Sequence, residues 1–312
     1  MTRAFVFPGQ GSQAVGMGQA LAEAFPTARH TFQEVDEALQ QHLTRLMFEG
    51  PEADLTLTEN AQPALMAVSL AVTRVLVEQG GRDLAGMGSH VAGHSLGEYT
   101  ALAATGALDL PATARLLRTR GRAMQEAVPV GEGAMAALMG LDPDTVRAIT
   151  EEAAQGAVCA PANDNAPGQV VVSGHAAAVE RAIELAKSRG AKRAVKLQVS
   201  APFHCSLMQP AADRMAEALA EATIRAPALP VVSNVTAESY TEPTEIRERL
   251  VEQVTHPVRW RESMLYLRER GVESLVELGA GKVLGGLARR IDRGFQAVSI
   301  GEPKDVEAFL TQ

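Results

Sequence analysis

Apolar and polar positions along the chain follow the two periodicities of a mixed α/β protein. An apolar run at 4–7 predicts a short buried strand, and the Pro8-Gly9 pair after it predicts a tight turn. Residues 61–79 carry apolar side chains at helical spacing, and two glycines directly after them predict the end of that helix. The first third of the chain is therefore expected to hold a buried strand and a long helix with an apolar face.

The middle of the core pairs a strand at 88–94 with a helix at 96–104, so Ser95 is predicted to lie at a strand-to-helix turn. The same periodicities predict the other elements of the core. These are helices at 14–25, 27–48, 111–127, 206–222, 245–254, 260–270 and 283–293, and strands at 230–235, 274–278 and 296–300.

The segment 132–200 has a separate pattern of predicted strands and helices. Its order of strand, helix, two strands, helix and strand is typical of a ferredoxin-like domain. We therefore predict a small subdomain at 131–200, inserted into a core formed by residues 1–130 and 201–312. Its strands are predicted at 134–139, 157–160, 169–173 and 194–199, and its helices at 143–154 and 176–189.

Composition and charge narrow the class of protein. The chain of 312 residues has 46% apolar and 21% charged residues, an ordinary mixture for a globular protein. No apolar run approaches the roughly 20 residues that span a bilayer, and the N-terminus lacks the pattern of a signal peptide. A formal net charge of −8 argues against nucleic-acid binding. We therefore expect a cytoplasmic monomer that binds neither membrane nor nucleic acid.

The cysteine content argues against two further classes of site. Cys159 and Cys205 are the only cysteines, and neither belongs to a C-x-x-C pair. This pattern is not typical of a structural zinc site or of a disulfide-stabilised fold. We therefore expect no metal and no other cofactor.

The strongest chemical signal is the G-x-S-x-G pattern at 93–97, which is centred on Ser95. A sharp turn from a strand into a helix lifts such a serine out of the sheet, and the flanking glycines let the backbone pass without clashes. The N-terminus of the following helix stabilises negative charge near the serine oxygen. The pattern predicts a nucleophile, and the alternative is a serine that only caps the helix.

A nucleophilic serine needs a base, and the chain has seven histidines. His94 is adjacent to Ser95, and neighbouring side chains diverge. His204 lies where the predicted small subdomain returns to the core, in a loop that enters a helix. His256, directly before a proline, is the rival, so the residues alone leave His204 and His256 both open as the base.

Transfer of an acidic acyl group also requires a cation at the pocket. A guanidinium can pair with a carboxylate through two parallel hydrogen bonds, which fixes geometry as well as charge. The predicted helix at 111–127 carries a cluster of such groups, although a solvated helix face is the alternative for most of them. The cluster consists of Arg115, Arg118, Arg120 and Arg122.

These features together resemble the malonyl-CoA:acyl carrier protein transacylases, the stand-alone acyltransferases of bacterial fatty-acid synthesis. The resemblance covers nearly the whole chain, and several motifs in one order are far more specific than G-x-S-x-G alone. The motifs are FPGQGSQ at 7–13, TENAQPA at 58–64, GHSLGEY at 93–99, RG at 120–121, NAPGQVV at 165–171, PFHC at 202–205, Gln253 with PVRW at 257–260, and ELG at 277–279.

The resemblance implies a catalytic role for five residues. Ser95 is the implied nucleophile and His204 the implied general base. The main-chain carbonyl of Gln253 would orient the imidazole, so the third position of the triad is not an acid. The backbone N–H groups of Gln10 and Leu96 would form the oxyanion hole.

The resemblance also implies how the substrate is bound and how the chain folds. Arg120 would hold the malonyl carboxylate, and Gln62 would line the pocket. Phe203, before the histidine, favours a malonyl over a methylmalonyl group. The implied fold is an α/β-hydrolase-like core with a parallel sheet, plus an inserted ferredoxin-like (βαββαβ) subdomain.

The implied function is transfer of the malonyl group from malonyl-CoA to the phosphopantetheine thiol of acyl carrier protein, in fatty acid biosynthesis, by a ping-pong mechanism through a malonyl-serine. Two other functions remain open from the residues: a serine esterase or thioesterase that uses His256, and a carrier-binding module without catalysis.

Acyl carrier proteins are acidic, so a basic surface near the site would attract one and orient it. Candidates for it are Arg115, Arg118, Arg122, Lys282, Arg289 and Arg290.

Overall fold

A computed structural model describes residues 2–311 of the chain. The strands are β1 (Arg3–Phe7), β2 (His90–Gly93), β3 (Gly133–Met139), β4 (Cys159–Ala166), β5 (Gln169–His175), β6 (Arg193–Lys196), β7 (Val231–Val232), β8 (Ser239–Tyr240), β9 (Ser274–Leu278) and β10 (Gln296–Ile300). The helices are α1 (Gln19–Ala24), α2 (Pro26–Leu39), α3 (Leu43–Glu49), α4 (Glu52–Thr56), α5 (Thr58–Gly80), α6 (Leu96–Ala104), α7 (Leu110–Glu126), α8 (Pro143–Ala154), α9 (Ala176–Ser188), α10 (Gln209–Glu221), α11 (Pro243–Glu252), α12 (Trp260–Glu269), α13 (Val283–Ile291) and α14 (Pro303–Leu310).

The larger of two sheets has six strands in the order β10-β9-β1-β2-β7-β8. All of its neighbours pair in parallel except β7 and β8, which form a short antiparallel pair. Strand β1 is central and apolar along its length, as expected for a parallel strand that helices cover on both faces. The prediction of an α/β protein with a mainly parallel core sheet is confirmed.

The smaller sheet has four strands in the order β4-β5-β3-β6, and all of its pairs are antiparallel. Helices α8 and α9 follow β3 and β5, so the predicted order of elements in this segment is present. A separate apolar cluster beneath these helices includes Leu138, Ile149, Val172 and Ile183. The segment therefore packs around an apolar cluster of its own.

Several predicted boundaries are wrong. The helix predicted at 27–48 is broken, because Gln40 adopts a left-handed backbone with φ 50° between α2 and α3. The helix predicted at 14–25 begins only at Gln19, and the strand predicted at 230–235 pairs over two residues. Strand β4 runs on to Ala166, well past its predicted end at 160. Elements α4, β8 and α14 were not predicted.

Helix α5 is the long central helix of the core and starts three residues before its predicted start at 61. Among residues 2–311 it alone is long and apolar enough to cross a membrane, by length and composition, which corrects the expectation that no segment is. Of its most apolar window, 89% is buried inside the protein. Its N-terminal end, which includes Gln62, faces α7 and the start of α6.

Candidate active site

Ser95 lies in the turn between β2 and α6, as predicted. Its backbone has φ 55° and ψ −111°, a conformation that L-residues rarely adopt and that occurs mostly at functional turns. The turn is tight because a Cβ on Gly93 would lie 1.9 Å from the carbonyl of Gly97. A Cβ on Gly97 would lie 2.3 Å from the carbonyl oxygen of Phe7 on β1. Both glycines are therefore required for the backbone to turn here.

Asn234, just after β7, forms hydrogen bonds with this turn. Sequence reasoning did not identify this residue. Its Oδ1 accepts a hydrogen bond from the backbone N–H of Ser95 at 2.7 Å. Its Nδ2 donates to the carbonyl oxygen of Gly93, also at 2.7 Å. One buried amide thus satisfies the N–H of the serine and the carbonyl two residues before it, which holds the turn in place.

His204 reaches Ser95 across the site. Its Nε2 lies 2.8 Å from the serine Oγ. Its Nδ1 lies 2.9 Å from the carbonyl oxygen of Gln253 and 3.1 Å from that of His256. Carbonyl oxygens only accept, so Nδ1 carries the proton and Nε2 presents its lone pair to the serine hydroxyl.

The surroundings of His204 disfavour its protonated form. The imidazole is 3% exposed. Burial, and then the positive charge of Arg120, lower the pKa of His204 to about 3, although the two carbonyls at Nδ1 act in the opposite direction. The free protein therefore holds this histidine as a neutral imidazole, the form that can accept a proton.

Arg120 comes from α7 and is 1% exposed. Its Nη1 donates to Gln62 Oε1 at 2.9 Å, and its Nη2 donates to Gln253 Oε1 at 2.8 Å and to Ser95 Oγ at 3.1 Å. Within residues 2–311 no carboxylate oxygen lies within 4.0 Å of the guanidinium, and its Nε has no hydrogen-bond partner. A buried charge that is held only by neutral groups is costly, which indicates that an anion completes its surroundings.

The two backbone donors predicted for an oxyanion hole lie at the same cavity. Gln10 lies in the turn that follows β1, and Leu96 is the first residue of α6. Neither N–H donates to a protein acceptor among the described residues. The N-terminus of α6 adds a favourable dipole at this point. The arrangement leaves two donors available for an oxygen that becomes negatively charged beside Ser95.

A buried network behind Ser95 contains a further carboxylate that the sequence did not single out. Glu98, on the first turn of α6, accepts hydrogen bonds from Tyr240 Oη at 2.6 Å, from Gln253 Nε2 at 2.6 Å and from the Asn234 N–H at 3.1 Å. Burial raises the pKa of Glu98 to about 7, while these donors lower it. Only its place directly after the G-x-S-x-G motif could have drawn attention to it.

The cavity that opens onto Ser95 has a volume of about 300 Å³. The core and the smaller sheet both contribute to its walls. Apart from Ser95, its lining residues are Gln10, Gly11, Gln13, Thr56, Gln62, His94, Leu96, Arg120, Met124, Met135, Asn163, Leu197, Gln198, Val199, Phe203 and His204. Arg120 is the only cation among them, and it lies next to the serine.

The remaining candidates lie away from the serine. The imidazole of His256 is half exposed and contacts the carbonyl of Glu252, so only its backbone carbonyl takes part in the site. His94 Nε2 lies 2.8 Å from Asn165 Oδ1, away from Ser95 Oγ. Of the two candidate bases, the structure brings only the side chain of His204 to Ser95.

The basic residues proposed for carrier docking are divided between α7 and α13, and Lys282 directly precedes α13. Arg115, Arg118 and Arg122 line shallow grooves on the outer side of α7, away from the cavity. Arg289 and Arg290 lie on α13, where Arg290 contacts Gln169 of the smaller sheet. None of these side chains lines the cavity. In the part of the chain that is described, no three His, Cys, Asp or Glu side chains are grouped to hold a metal.

Comparison with known proteins places this geometry in context. The family model described as acyl transferase domain matches residues 4–301. A malonyl CoA-acyl carrier protein transacylase of Escherichia coli strain K12 is 49% identical over 307 residues, which cover 98% of this chain and 98% of that protein.

Solved structures of malonyltransferases also resemble this chain over nearly its whole length. The crystal structure of an acyl-carrier-protein S-malonyltransferase from Bartonella henselae superposes with a TM-score of 0.97 at 54% identity, covering 100% of this chain and 99% of that one. A malonyl transacylase solved in complex with its type II PKS acyl carrier protein superposes with a TM-score of 0.96 at 44% identity, again covering 100% and 99%.

Proposed function

Because the chain belongs to the acyl transferase family, and is an acyltransferase of the malonyl CoA-acyl carrier protein transacylase type, we propose a specific reaction for it. It transfers a malonyl group from malonyl-CoA to the phosphopantetheine thiol of an acyl carrier protein. The observation that carries the proposal is the 2.8 Å contact of Ser95 Oγ with His204 Nε2, beside a buried Arg120 that lacks an anionic partner. A relative solved together with its acyl carrier protein supports the choice of acceptor.

In the first half-reaction, His204 Nε2 takes the proton of Ser95 as the serine oxygen attacks the thioester carbon of malonyl-CoA. The carbonyl oxygen becomes negative against the N–H groups of Gln10 and Leu96, and the loss of one such donor typically costs about 3 kcal/mol. The bond to sulfur then breaks, and the coenzyme A thiolate takes the proton from His204. A malonyl ester of Ser95 remains.

In the second half-reaction, the carrier's phosphopantetheine thiol gives its proton to His204 and attacks the Ser95 ester. The serine oxygen leaves with that proton, and the malonyl thioester of the carrier is released. Two substrates that use one site in turn give ping-pong kinetics. A thiolate leaves easily, so the carbonyl of Gln253 is a sufficient partner for His204 where amide cleavage would call for an acid.

Arg120 supplies selectivity for an acidic acyl group. A malonyl carboxylate pairs with its guanidinium, whereas an acetyl group leaves the buried charge without a counter-ion. The pairing also offsets the positive charge that lowers the pKa of His204. The correct substrate thus makes the imidazole a stronger base, which links recognition of the acyl group to proton transfer.

Three broader features belong to the same proposal. The core is α/β-hydrolase-like, and the segment 131–200 is a ferredoxin-like subdomain, because its strands lie in the order second, third, first, fourth. The reaction serves fatty acid biosynthesis in the cytoplasm.

The carrier docks through basic side chains near the cavity mouth. The α13 residues Arg289 and Arg290 lie next to the smaller sheet and are better placed for this than the arginines of α7.

Intact-protein mass spectrometry after mixing with malonyl-CoA tests the proposal. The wild-type protein should gain the mass of one malonyl group, and Ser95→Ala should gain none. Addition of a carrier bearing its phosphopantetheine thiol should remove the adduct and appear as malonyl-carrier. Loss of the adduct to water at the same rate without carrier would indicate a hydrolase, and no adduct at all would refute a covalent mechanism.

A further inference from the structure

Glu98 is a fully buried carboxylate for which the mechanism above has no use. Its Oε2 accepts from Gln253 Nε2 at 2.6 Å and from the Asn234 N–H at 3.1 Å, and its Oε1 accepts from Tyr240 at 2.6 Å. It does not touch Ser95 Oγ, His204 or the cavity. Its contacts lead instead to the amide of Gln253, which is the one side chain that joins Glu98 to Arg120.

The Gln253 amide has a direction that its neighbours specify. Its Nε2 donates to Glu98 Oε2 and to the Ser95 carbonyl at 3.0 Å, which leaves its Oε1 to accept from Arg120 Nη2 at 2.8 Å. If the amide were turned over, its NH₂ group would face the guanidinium, and two donors would meet. The Glu98 carboxylate, as the closer of the two acceptors, therefore helps to determine which end of the amide Arg120 meets.

We propose that Glu98 is a positioning residue for acyl selectivity: its Oε2 orients the Gln253 amide, which holds the Arg120 guanidinium in place for the carboxylate of the substrate. This inference rests on the proposed function. Oε2 accepts in either ionisation state of Glu98, because a proton on Oε1 can be donated to the Tyr240 oxygen. The requirement is thus an acceptor at one position and not a negative charge.

This distinction makes two substitutions informative. Glu98→Gln keeps a carbonyl oxygen for Gln253 and Asn234 and turns its NH₂ group toward Tyr240. Glu98→Leu has a similar volume and no acceptor, so the Gln253 amide loses its closest acceptor and keeps only the longer hydrogen bond to the Ser95 carbonyl. A displaced catalytic or binding group can cost about 100-fold in rate. We expect Glu98→Leu to slow acylation by malonyl-CoA about 100-fold and Glu98→Gln by no more than about threefold.

The experiment measures single-turnover acylation of Ser95 by malonyl-CoA and by acetyl-CoA, with intact-protein mass spectrometry as the readout. Rate constants are expressed per folded protein, from circular dichroism of the same samples. Glu277→Leu is the matched control, because Glu277 is equally buried but accepts from the N–H groups of Leu284 and Gly285, at the start of α13. It should lose stability without a change in the ratio of the two rate constants.

The malonyl-to-acetyl ratio separates positioning from a merely structural role. We expect it to fall about tenfold in Glu98→Leu, since a hydrogen bond to a charged group is being lost, and to stay near the wild-type value in Glu98→Gln. The inference would be overturned if Glu98→Leu kept the wild-type ratio and rate, or if Glu98→Gln lost as much of the malonyl-to-acetyl ratio as Glu98→Leu.

If Glu98→Leu does not fold, Glu98→Asp takes its place. Its shortened carboxylate should lower the malonyl-to-acetyl ratio, and a wild-type ratio would refute the proposal. Absence of a malonyl adduct on the wild-type protein would instead refute the proposed function.

Discussion

Arg120 brings a positive charge into the core, where only neutral oxygens of Gln62, Gln253 and Ser95 surround its Nη atoms. Its Cζ also lies 5.6 Å from the centre of the Tyr99 ring, a cation–π contact that stabilises the charge only in part. Glu98 acts on this charge only from behind Gln253. At the scale of single residues, a buried cation that no carboxylate contacts directly among residues 2–311 is the clearest sign that the substrate is an anion.

Replacement of this cation tests its role in selectivity. Arg120→Ala should lower the acylation rate with malonyl-CoA about 100-fold, since a charge-assisted contact with the substrate is lost. Acylation by acetyl-CoA should fall much less, because acetyl has no carboxylate to pair. Single-turnover rates with both thioesters check this, with Arg118→Ala on the outer side of the same helix as control. An unchanged malonyl-to-acetyl ratio in Arg120→Ala would remove Arg120 from this role.

The lowered pKa of His204 predicts an unusual pH profile. An exposed imidazole with a pKa of 6.5 would be about nine-tenths protonated at pH 5.5, and a base that depends on it would lose about tenfold in rate. With a pKa of about 3, His204 stays neutral across this range, and its activity as a base is lost only as pH falls toward that value. We expect kcat/KM for malonyl-CoA, which reports on the free enzyme, to change less than about twofold between pH 7.5 and 5.5. A half-maximal value near pH 6.5 would contradict this.

At the scale of elements, the turn from β2 to α6 depends on Asn234, in the turn that follows the distant strand β7. Asn234→Asp keeps the acceptor for the Ser95 N–H but places a second oxygen against the carbonyl of Gly93, where the Nδ2 group now donates. Two buried acceptors in contact should cost about 1–3 kcal/mol in the free energy of unfolding and distort the turn. We expect urea unfolding to show this loss and acylation of Ser95 to be greatly reduced.

A second asparagine provides the control for this substitution. Asn60 is also buried, and its Nδ2 donates to the backbone carbonyl of Asp54 at 2.8 Å, outside the cavity. Asn60→Asp should therefore show a comparable loss of stability and an ordinary acylation rate per folded protein. Equal rates in the two variants would mean that Asn234 supports the fold but not the serine.

The elements that the sequence predicted well are those with strong start and end signals. Helix α8 spans its predicted residues 143–154, since Asp142 caps it and Pro143 opens it. Strand β9 also has its predicted bounds, and it is buried along its whole length. The strand at 230–235 was predicted too long, because Asn234 leaves the sheet to bind the serine turn. A two-residue strand such as β8 is too short to produce a periodic pattern.

The residues of the candidate site also differ in how well the sequence predicted them. The G-x-S-x-G motif predicted Ser95 directly, but periodicity alone left His204 and His256 equal, and only the fold separates them. Glu98 could not have been predicted as buried, because carboxylates are rarely buried without a partner. Its burial follows from packing of α6 against the β7–β8 hairpin, a contact between segments more than 130 residues apart.

At the scale of the whole molecule, both sheets contribute to one site. Strand β4 of the smaller sheet pairs with the segment after Gln253, where Val258 exchanges backbone hydrogen bonds with Ala162 and Asp164. The carboxylate of Asp164 adds an ion pair with Arg261 at 2.7 Å. The carbonyls that orient His204 thus lie in a segment that strand β4 of the smaller sheet contacts, so both sheets contribute to the position of the imidazole.

The buried carboxylate of Glu98 also affects the stability of the whole molecule. Its pKa is about 7 in the folded protein against an ordinary value of 4.5, so the folded state holds the proton more tightly between these values. This group therefore contributes stability that is fully present below pH 4.5 and is lost as pH rises through 7. His204 acts in the opposite direction, because its lowered pKa makes stability rise as pH increases from about 3 toward 6.5.

Comparison with Glu98→Gln isolates the contribution of Glu98, since His204 and the other groups titrate in both proteins. The amide cannot ionise, so the free energy of unfolding of the wild-type protein should fall relative to this variant between pH 5 and pH 8. One pKa unit corresponds to about 1.4 kcal/mol, and we expect a relative loss of at least about that size. Urea unfolding of both proteins at pH 5, 6.5 and 8 measures it. A difference that grows in favour of the wild type with rising pH would mean that Tyr240, Gln253 and the charge of Arg120 stabilise the carboxylate more than burial destabilises it.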